Sequence, residues 1–291
     1  MNINIAVLLT CFNRKELTLS CLEMLSKQDV NNLSIDIFLV DDGCTDGTGV
    51  AVKERFENVN VISGDGNLFW NGGMRLAWNT ALKEGYDFYL WINDDSLIYP
   101  YAISKVLKAS QQLVANGENP GAIIGTMVDP ISKNPTYGGR LCNSRFNPIS
   151  FGGVIQPSVS AVECDFINGN FTLIPADSVK KIGILSNAFT HGMGDFDYGL
   201  RLKKAGFTCW VAPGVFGECE GNSEKGGCKD ANLSATERVK KMQQLSQLPP
   251  VDEWKYFVRQ HGGFIWPLLW FKAFIRGKYP YFWVLLRAKK I

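Results

Sequence analysis

Asp87-Phe88-Tyr89-Leu90-Trp91-Ile92-Asn93-Asp94-Asp95 is a short run of bulky apolar residues that leads straight into two adjacent carboxylates. Preceded by a turn at Gly85, the apolar part reads as a buried strand. In an open α/β sheet, ligands sit just beyond the carboxyl ends of the strands. Two like charges at such an end repel each other and resist desolvation, so a positive partner is expected beside them. A hard divalent cation held by oxygen ligands and shared with a substrate diphosphate fits that need. Asn-Asp-Asp is also ordinary turn chemistry, and this stretch by itself does not separate the two readings.

Working outward, 291 residues suffice for one large α/β domain or a domain with an appendage. An apolar content of 46% with 20% charged residues describes a globular chain with a sizeable core. The net charge of +2 supplies no basic field for nucleic acid, so no nucleic-acid partner is expected. The cysteines, Cys11, Cys21, Cys44, Cys142, Cys164, Cys209, Cys219 and Cys228, are scattered without a C-x-x-C pair. That is neither a zinc framework nor a disulfide scaffold, and reduced thiols in a cytoplasmic protein are expected. The segment from Met1 to Leu9 lacks a basic flank and reads as a first strand rather than a signal peptide. No apolar run reaches eighteen residues, so no spanning helix is expected.

Ile3 to Leu9 is almost unbroken apolar sequence, as a strand buried on both faces should be, and it ends in Thr10-Cys11-Phe12-Asn13-Arg14. Leu17, Cys21, Met24 and Leu25 recur at helical spacing. Ser34 to Val40 is a second strand, closed by Asp41-Asp42-Gly43-Cys44-Thr45-Asp46-Gly47-Thr48, and Val59 to Ile62 a third. This β-α-β-α-β alternation predicts a mostly parallel, Rossmann-like sheet flanked by helices. Gly64 to Met74 joins glycines that admit a ligand closely to the exposed face of Trp70; an ordinary loop with one aromatic packed inward is the competing reading. Helices are expected over Gly73–Lys83 and Ala102–Ala115, and a strand over Ala122–Val128. Residues 132–160, rich in Gly, Pro, Asn and Ser, read as a loop-and-hairpin excursion that meets substrate. A strand from Val162 to Pro175 contains Asn168-Gly169-Asn170. Asp195 and Asp197 fall in the first turn of a helix running to about Ala205, where the macrodipole favours carboxylates and a general base is equally at home. His191, just before them, reads as a turn histidine or a ligand contact. Cys209 to Pro213 is a last strand, and the aperiodic stretch from Gly214 to Asn232 suits a lid. Ser234 with Glu237 is a capping box that opens a helix.

From Trp254 onward the chain carries Lys255, Arg259, Lys272, Arg276, Lys278, Arg287, Lys289 and Lys290 with no acidic residue, interleaved with Trp, Tyr, Phe and Leu. Such a mixture suits a segment lying on a membrane surface, or else a terminal helical piece docked on the core or on a second copy of the chain in a homodimer. The expected division is an α/β domain over 1–232 and a C-terminal helical appendage over 233–291.

Taken together these motifs resemble the family 2 glycosyltransferases with a GT-A fold, over roughly residues 3 to 215. Thr10-Cys11-Phe12-Asn13-Arg14 looks like the family's first nucleotide-binding segment. Val40-Asp41-Asp42-Gly43-Cys44-Thr45-Asp46-Gly47-Thr48 is similar to its V-D-D-G-S-x-D-G-T, with Cys44 for Ser. Asn93-Asp94-Asp95 stands at the D-x-D position with Asn first, and Gly194-Asp195-Phe196-Asp197 at the E-D-x-D position with Gly for Glu. Where the family often has a metal-binding His, this chain has Glu218-Cys219-Glu220. Gly66-Asn67-Leu68-Phe69-Trp70-Asn71-Gly72-Gly73 looks like a subgroup of bacterial rhamnosyltransferases and other surface-polysaccharide enzymes. The resemblance implies an inverting transfer from a nucleotide sugar, dTDP-rhamnose or a UDP-hexose, to a polyprenyl-diphosphate-linked glycan at the inner face of the cell membrane. It implies Asp195 as catalytic base and Asp95 as ligand of Mg²⁺ or Mn²⁺. Donor contacts are implied for Thr10, Phe12, Asn13, Arg14, Asp41, Asp42, Asn67, Asn71, Asn93 and Asp94, and sugar or acceptor contacts for Trp70, Asn168, His191 and Asp197.

One displacement step accounts for inversion, and no covalent nucleophile is needed. A catalytically silent sugar-nucleotide or polysaccharide-binding protein on the same fold is the alternative class, since a fold does not establish activity. The departures at residues 93 and 194 and the missing metal-binding His favour that alternative, and retention of Asp95 and Asp195 opposes it. A nucleotidyltransferase is disfavoured because no basic Gly-rich phosphate loop follows the first strand.

Overall fold

Residues Ile5 to Leu9 are all fully buried, and their alternation builds two cores at once. The computed structural model describes residues 2–29, 32–222, 225–245 and 247–288. It opens with β1 (Ile3–Cys11), α1 (Lys15–Ser26), β2 (Leu33–Asp41), α2 (Thr48–Arg55), β3 (Val59–Ser63), α3 (Phe69–Ala81) and β4 (Phe88–Ile92). Then come β5 (Leu97–Ile98), α4 (Ala102–Ala115), β6 (Pro120–Val128), β7 (Pro135–Tyr137), β8 (Arg140–Cys142), β9 (Phe151–Val154) and β10 (Val162–Glu163). β11 (Phe171–Pro175), α5 (Ala176–Ile182), α6 (Gly194–Lys204) and β12 (Thr208–Glu218) complete the α/β body. The helices α7 (Ala235–Met242), α8 (Val251–His261), α9 (Trp266–Lys278) and α10 (Pro280–Ala288) follow.

The main sheet runs β10-β12-β6-β11-β4-β1-β2-β3, with β5 on β12 and β7 on β6, and β8–β9 form a separate hairpin. β3, β2, β1 and β4 are mutually parallel, β11 is antiparallel to both β4 and β6, and β12 is parallel to β6. On one face Ile5, Val7 and Leu9 pack with Leu19 and Leu22 of α1 and Ile103 and Val106 of α4. On the other, Ala6 and Leu8 pack with Met74 and Trp78 of α3 and Tyr198 and Leu202 of α6. This is the expected α/β architecture, with a GT-A-like sheet and C-terminal helices.

Three local expectations need correction. The single strand over Val162–Pro175 is two, β10 and β11, which pair with different partners across the turn Asn168–Asn170. α3 begins at Phe69 instead of Gly73, because the Asp42 carboxylate accepts from the Leu68 and Phe69 N–H groups, both at 3.0 Å, and caps the helix from the end of β2. β12 extends to Glu218, taking the first part of the presumed lid into the sheet by pairing with β5 and β6.

α7 carries the expected capping box between Ser234 and Glu237. α8 docks firmly: Phe257 and Val258 are fully buried and cluster with Ile149 and Phe189. α9 buries only Ala273, while Leu268 and Phe271, like Tyr281, Phe282 and Leu285 of α10, remain exposed. No helix among the described residues is long and apolar enough to cross a membrane. The cations expected at Lys289 and Lys290 lie outside the described residues.

Candidate active site

A cleft of about 540 Å³ opens at the carboxyl ends of β1 and β4, bounded by the start of β11 and the amino ends of α3 and α6. Its wall includes Thr10, Phe12, Arg14, Trp70, Asp95, His191 and Asp195. Three residues with left-handed backbone adjoin it: Asn13 (φ 52°), Phe69 (φ 52°) and Met193 (φ 72°). Asn adopts that region readily, whereas the bulkier Phe69 and Met193 are strained in it, and the turns that carry this strain lead into the cleft.

The acidic pair occupies the floor. Asp94 is almost fully buried, accepts from the Thr18 hydroxyl at 3.3 Å, and lies 3.3 Å from the Arg14 guanidinium. Asp95 is half-buried and receives the same guanidinium at 2.7 Å. Burial pushes the Asp94 carboxyl up to about 7; Arg14 opposes that rise and Asp95 adds to it. One exposed cation therefore serves two adjacent carboxylates, of which Asp94 is almost fully buried. Among the described residues the other Asp95 oxygen meets the Cys219 thiol, 3.5 Å away just past the end of β12.

Asn93, the first residue of this acidic stretch, has a different task. Its side-chain oxygen accepts from the Trp70 indole N–H at 2.8 Å. Trp70 stands edge-on to Trp91 and against Gly169, where any Cβ would approach the ring to 2.2 Å. The indole is thus clamped in the cleft wall on three sides.

Asp195 opens α6. Its carboxylate accepts from the Phe196 N–H at 2.8 Å and the Gly169 N–H at 3.3 Å, with the Asn168 amide at 3.5 Å. Desolvation nonetheless outweighs these donors and pushes its pKa up to about 6. A carboxylate poised there is a competent proton acceptor near neutrality. His191 faces the same space, its pKa lowered chiefly by burial and further by Arg14, and its Nδ1 has no hydrogen-bond partner among the described residues.

Several expected contacts lie elsewhere. Asp197 is buried between Arg201 and His261, at 2.8 Å from each, and does not reach the cleft. Its position, two residues after Asp195 on a helix, turns it toward α8. Asn71 is fully buried and donates to the carbonyls of Ser186 and Phe189, holding the loop that carries His191. Asn71 also explains Gly194, since a Cβ there would come within 1.8 Å of its side-chain oxygen. Asp42 lines the cleft, but both its oxygens accept backbone N–H groups of Gly66, Leu68 and Phe69. Asp41 caps the Cys44 N–H, Asn13 accepts from the Thr45 N–H, and Asn67 is exposed outside the cleft. Sequence reasoning assigned no site role to Tyr137 or Asn170, which line the wall, whereas it had set Glu218-Cys219-Glu220 at the metal-histidine position, and Cys219 does lie against Asp95. Only the polar excursion over 132–160 pointed toward Tyr137.

Residues 6–151, half of the chain, match the family model described as glycosyl transferase family 2. Among solved structures the chain is similar to the mannosyltransferase PcManGT from Pyrobaculum calidifontis in complex with GDP-Man and Mn²⁺. That match has a TM-score of 0.55 at 16% identity and covers 98% of this chain and 72% of that one. It is also similar to S. aureus TarS, with a TM-score of 0.51 at 14% identity, over 88% of this chain and 42% of that one. At these identities the likeness is one of fold. No curated protein sequence matches.

Proposed function

The chain belongs to glycosyl transferase family 2, and on that premise we propose that it moves a sugar, with inversion, from a nucleoside-diphosphate donor to a glycan hydroxyl. The observation that carries this reading is the half-buried Asp195, with a pKa near 6, in the same cleft as Arg14, Asp94 and Asp95. Asp195 takes the acceptor proton as the acceptor oxygen bonds to the anomeric carbon. The bond from that carbon to the diphosphate oxygen breaks in the same step, and the nucleoside diphosphate leaves with the electron pair. Phe12, more than half exposed at the rim, offers a face for the base, and Trp70 a wall for the sugar.

Asp95 suits a hard cation: it is a half-buried carboxylate at the cleft, and such ions are commonly held by one or two carboxylates plus substrate phosphates. When bound, Mg²⁺ or Mn²⁺ would supply charge neutralisation to the departing diphosphate. The complex of PcManGT with Mn²⁺ supports this assignment. Arg14, displaced from the acidic pair, would turn to the phosphate oxygens. For the donor we keep dTDP-rhamnose or a UDP-hexose, on the resemblance of residues 66–73.

The test is a panel of nucleotide sugars read by nucleoside diphosphate release. One donor should turn over with Mg²⁺ or Mn²⁺, and EDTA should stop it. Undiminished turnover in EDTA would remove the metal role. Donor binding without release under any condition would favour a silent binding protein.

For the acceptor we propose a polyprenyl-diphosphate-linked glycan at a membrane surface, with 1–232 as catalytic unit and, within the C-terminal part over 233–291, α9 and α10 facing the membrane. The support is the exposed apolar side chains of α9 and α10 among basic residues. Each cation near an anionic surface is worth about 1 kcal/mol. The chain should float with anionic vesicles and come off in high salt. Failure to float would leave the exposed faces to a second copy of the chain.

A further inference from the structure

Cys11 ends β1 and Asp41 ends β2, and the two are register partners across the parallel pair. Beyond Asp41 the chain turns at Gly43, whose φ of +74° sends it back over the sheet end. The Cys44 sulfur therefore comes to lie 3.9 Å from the Cys11 sulfur. The Asn13 N–H points at the Cys44 sulfur from 3.2 Å, and the Asp41 carboxylate holds the Cys44 N–H at 2.8 Å. One ligand atom from each of Cys11, Asp41 and Cys44 lies within 4.8 Å of the others. It is the one such trio of His, Cys, Asp or Glu ligands among the described residues.

We propose that Cys11, Asp41 and Cys44 form a site for a thiophilic divalent cation of the Zn²⁺ class, separate from the carboxylate position at Asp95. The spacing is the first argument. An ion about 2.3 Å from two thiolates at a tetrahedral angle sets the sulfurs about 3.8 Å apart. The observed 3.9 Å matches that edge without rearrangement. The ligand set is the second, since two thiolates with one carboxylate select Zn²⁺ over the hard ions that all-oxygen sites take. Pre-organisation is the third: Cys11 and Asp41 are fixed by the sheet, and Cys44 is fixed by hydrogen bonds at its backbone and at its sulfur. Cys11 also lines the cleft, which leaves a fourth position for water or a ligand atom. None of this rests on the glycosyl-transfer reading.

The test is a Cd²⁺ titration of the full, phosphine-reduced chain in excess Mg²⁺, which occupies any hard-oxygen position. One Cd²⁺ per chain should bind with a thiolate-to-cadmium charge-transfer band. Cys44→Ser should lose about half of the band, since one of the two thiolates remains, and should weaken binding by at least the roughly tenfold that even a lost outer-shell partner costs. Cys219→Ser, which removes the thiol beside Asp95, should leave both unchanged. A wild-type chain without the band, a band undiminished in Cys44→Ser, or one lost in Cys219→Ser would overturn the site. So would a stable Cys11–Cys44 disulfide whose reduced form shows no band. Wild-type protein supplies a second measurement that leaves the turn untouched: Zn²⁺ should slow alkylation of Cys44 by iodoacetamide, read by mass spectrometry. Equal alkylation with and without Zn²⁺ would equally overturn the site.

Discussion

Asp195 and Asp197 are both acidic, lie two positions apart on one helix, and meet opposite surroundings. Asp195 looks into the cleft with its proton affinity raised by desolvation to about 6. Below that pH the neutral acid dominates and cannot take a proton, so the rate should fall as pH drops through about 6 and level off above it. Asp195→Asn should lower kcat by about a hundredfold or more while donor binding is kept. Its stability effect has a definite sign. A folded-state pKa above the unfolded value means that the charged form costs stability above the unfolded pKa, so the neutral amide should not lower the melting temperature at pH 8. A joint fall in rate and melting temperature would mark Asp195 as structural. Asp197 is enclosed by Arg201 and His261. Removing one member of such a buried group typically costs about 3–5 kcal/mol. Asp197→Asn should therefore act on thermal unfolding, with kcat per folded molecule close to wild type.

The joint between α3 and α6 decides how the cleft is shaped. Asn71 of α3 lies against Gly194 of α6, so the missing side chain at 194 is a packing requirement as well as a departure from the family pattern. Gly194→Ala should cost about 1–3 kcal/mol through overpacking. Asn71→Ser should relieve part of that cost, giving a double-mutant coupling of about 0.5–3 kcal/mol between these contacting residues. Strict additivity in urea unfolding would show that the two do not touch. The early start of α3 has a separate cause, its cap by the Asp42 carboxylate just past the end of β2. A capping residue far away in sequence leaves no local signature at Leu68 or Phe69.

At the scale of the molecule, α8 behaves as part of the α/β body. Glu253 accepts from the Thr190 N–H and hydroxyl, His261 meets Asp197, and Phe257 is fully buried beside Phe189. These contacts brace the loop carrying His191 from behind. Phe257→Ala should cost about 3–5 kcal/mol, and a chain ended near Pro250 should unfold at lower temperature than the full chain. If that shorter chain melts like the full one, α8 is only an appendage. The apolar faces of α9 and α10 do not share this bracing role, and the vesicle experiment bears on them alone.

The parallel strands β1 to β4, the order of the motifs, the acidic pair at the end of β4 and the carboxylate at the start of α6 were legible in the residues alone. Such features are local: buried parallel strands read as apolar runs, and polar residues at their carboxyl ends mark where a ligand is met. Which carboxylate faces the cleft was not legible, because Asp41, Asp42, Asp195 and Asp197 have the same chemistry and differ only in what is packed against them. The partnership of Asn71 with Gly194, the clamp of Asn93 on Trp70 and the meeting of Cys11 with Cys44 join residues 23 to 123 positions apart. No periodicity encodes such pairs. They exist only once β1, β2 and β4 lie side by side and the helices close over their ends.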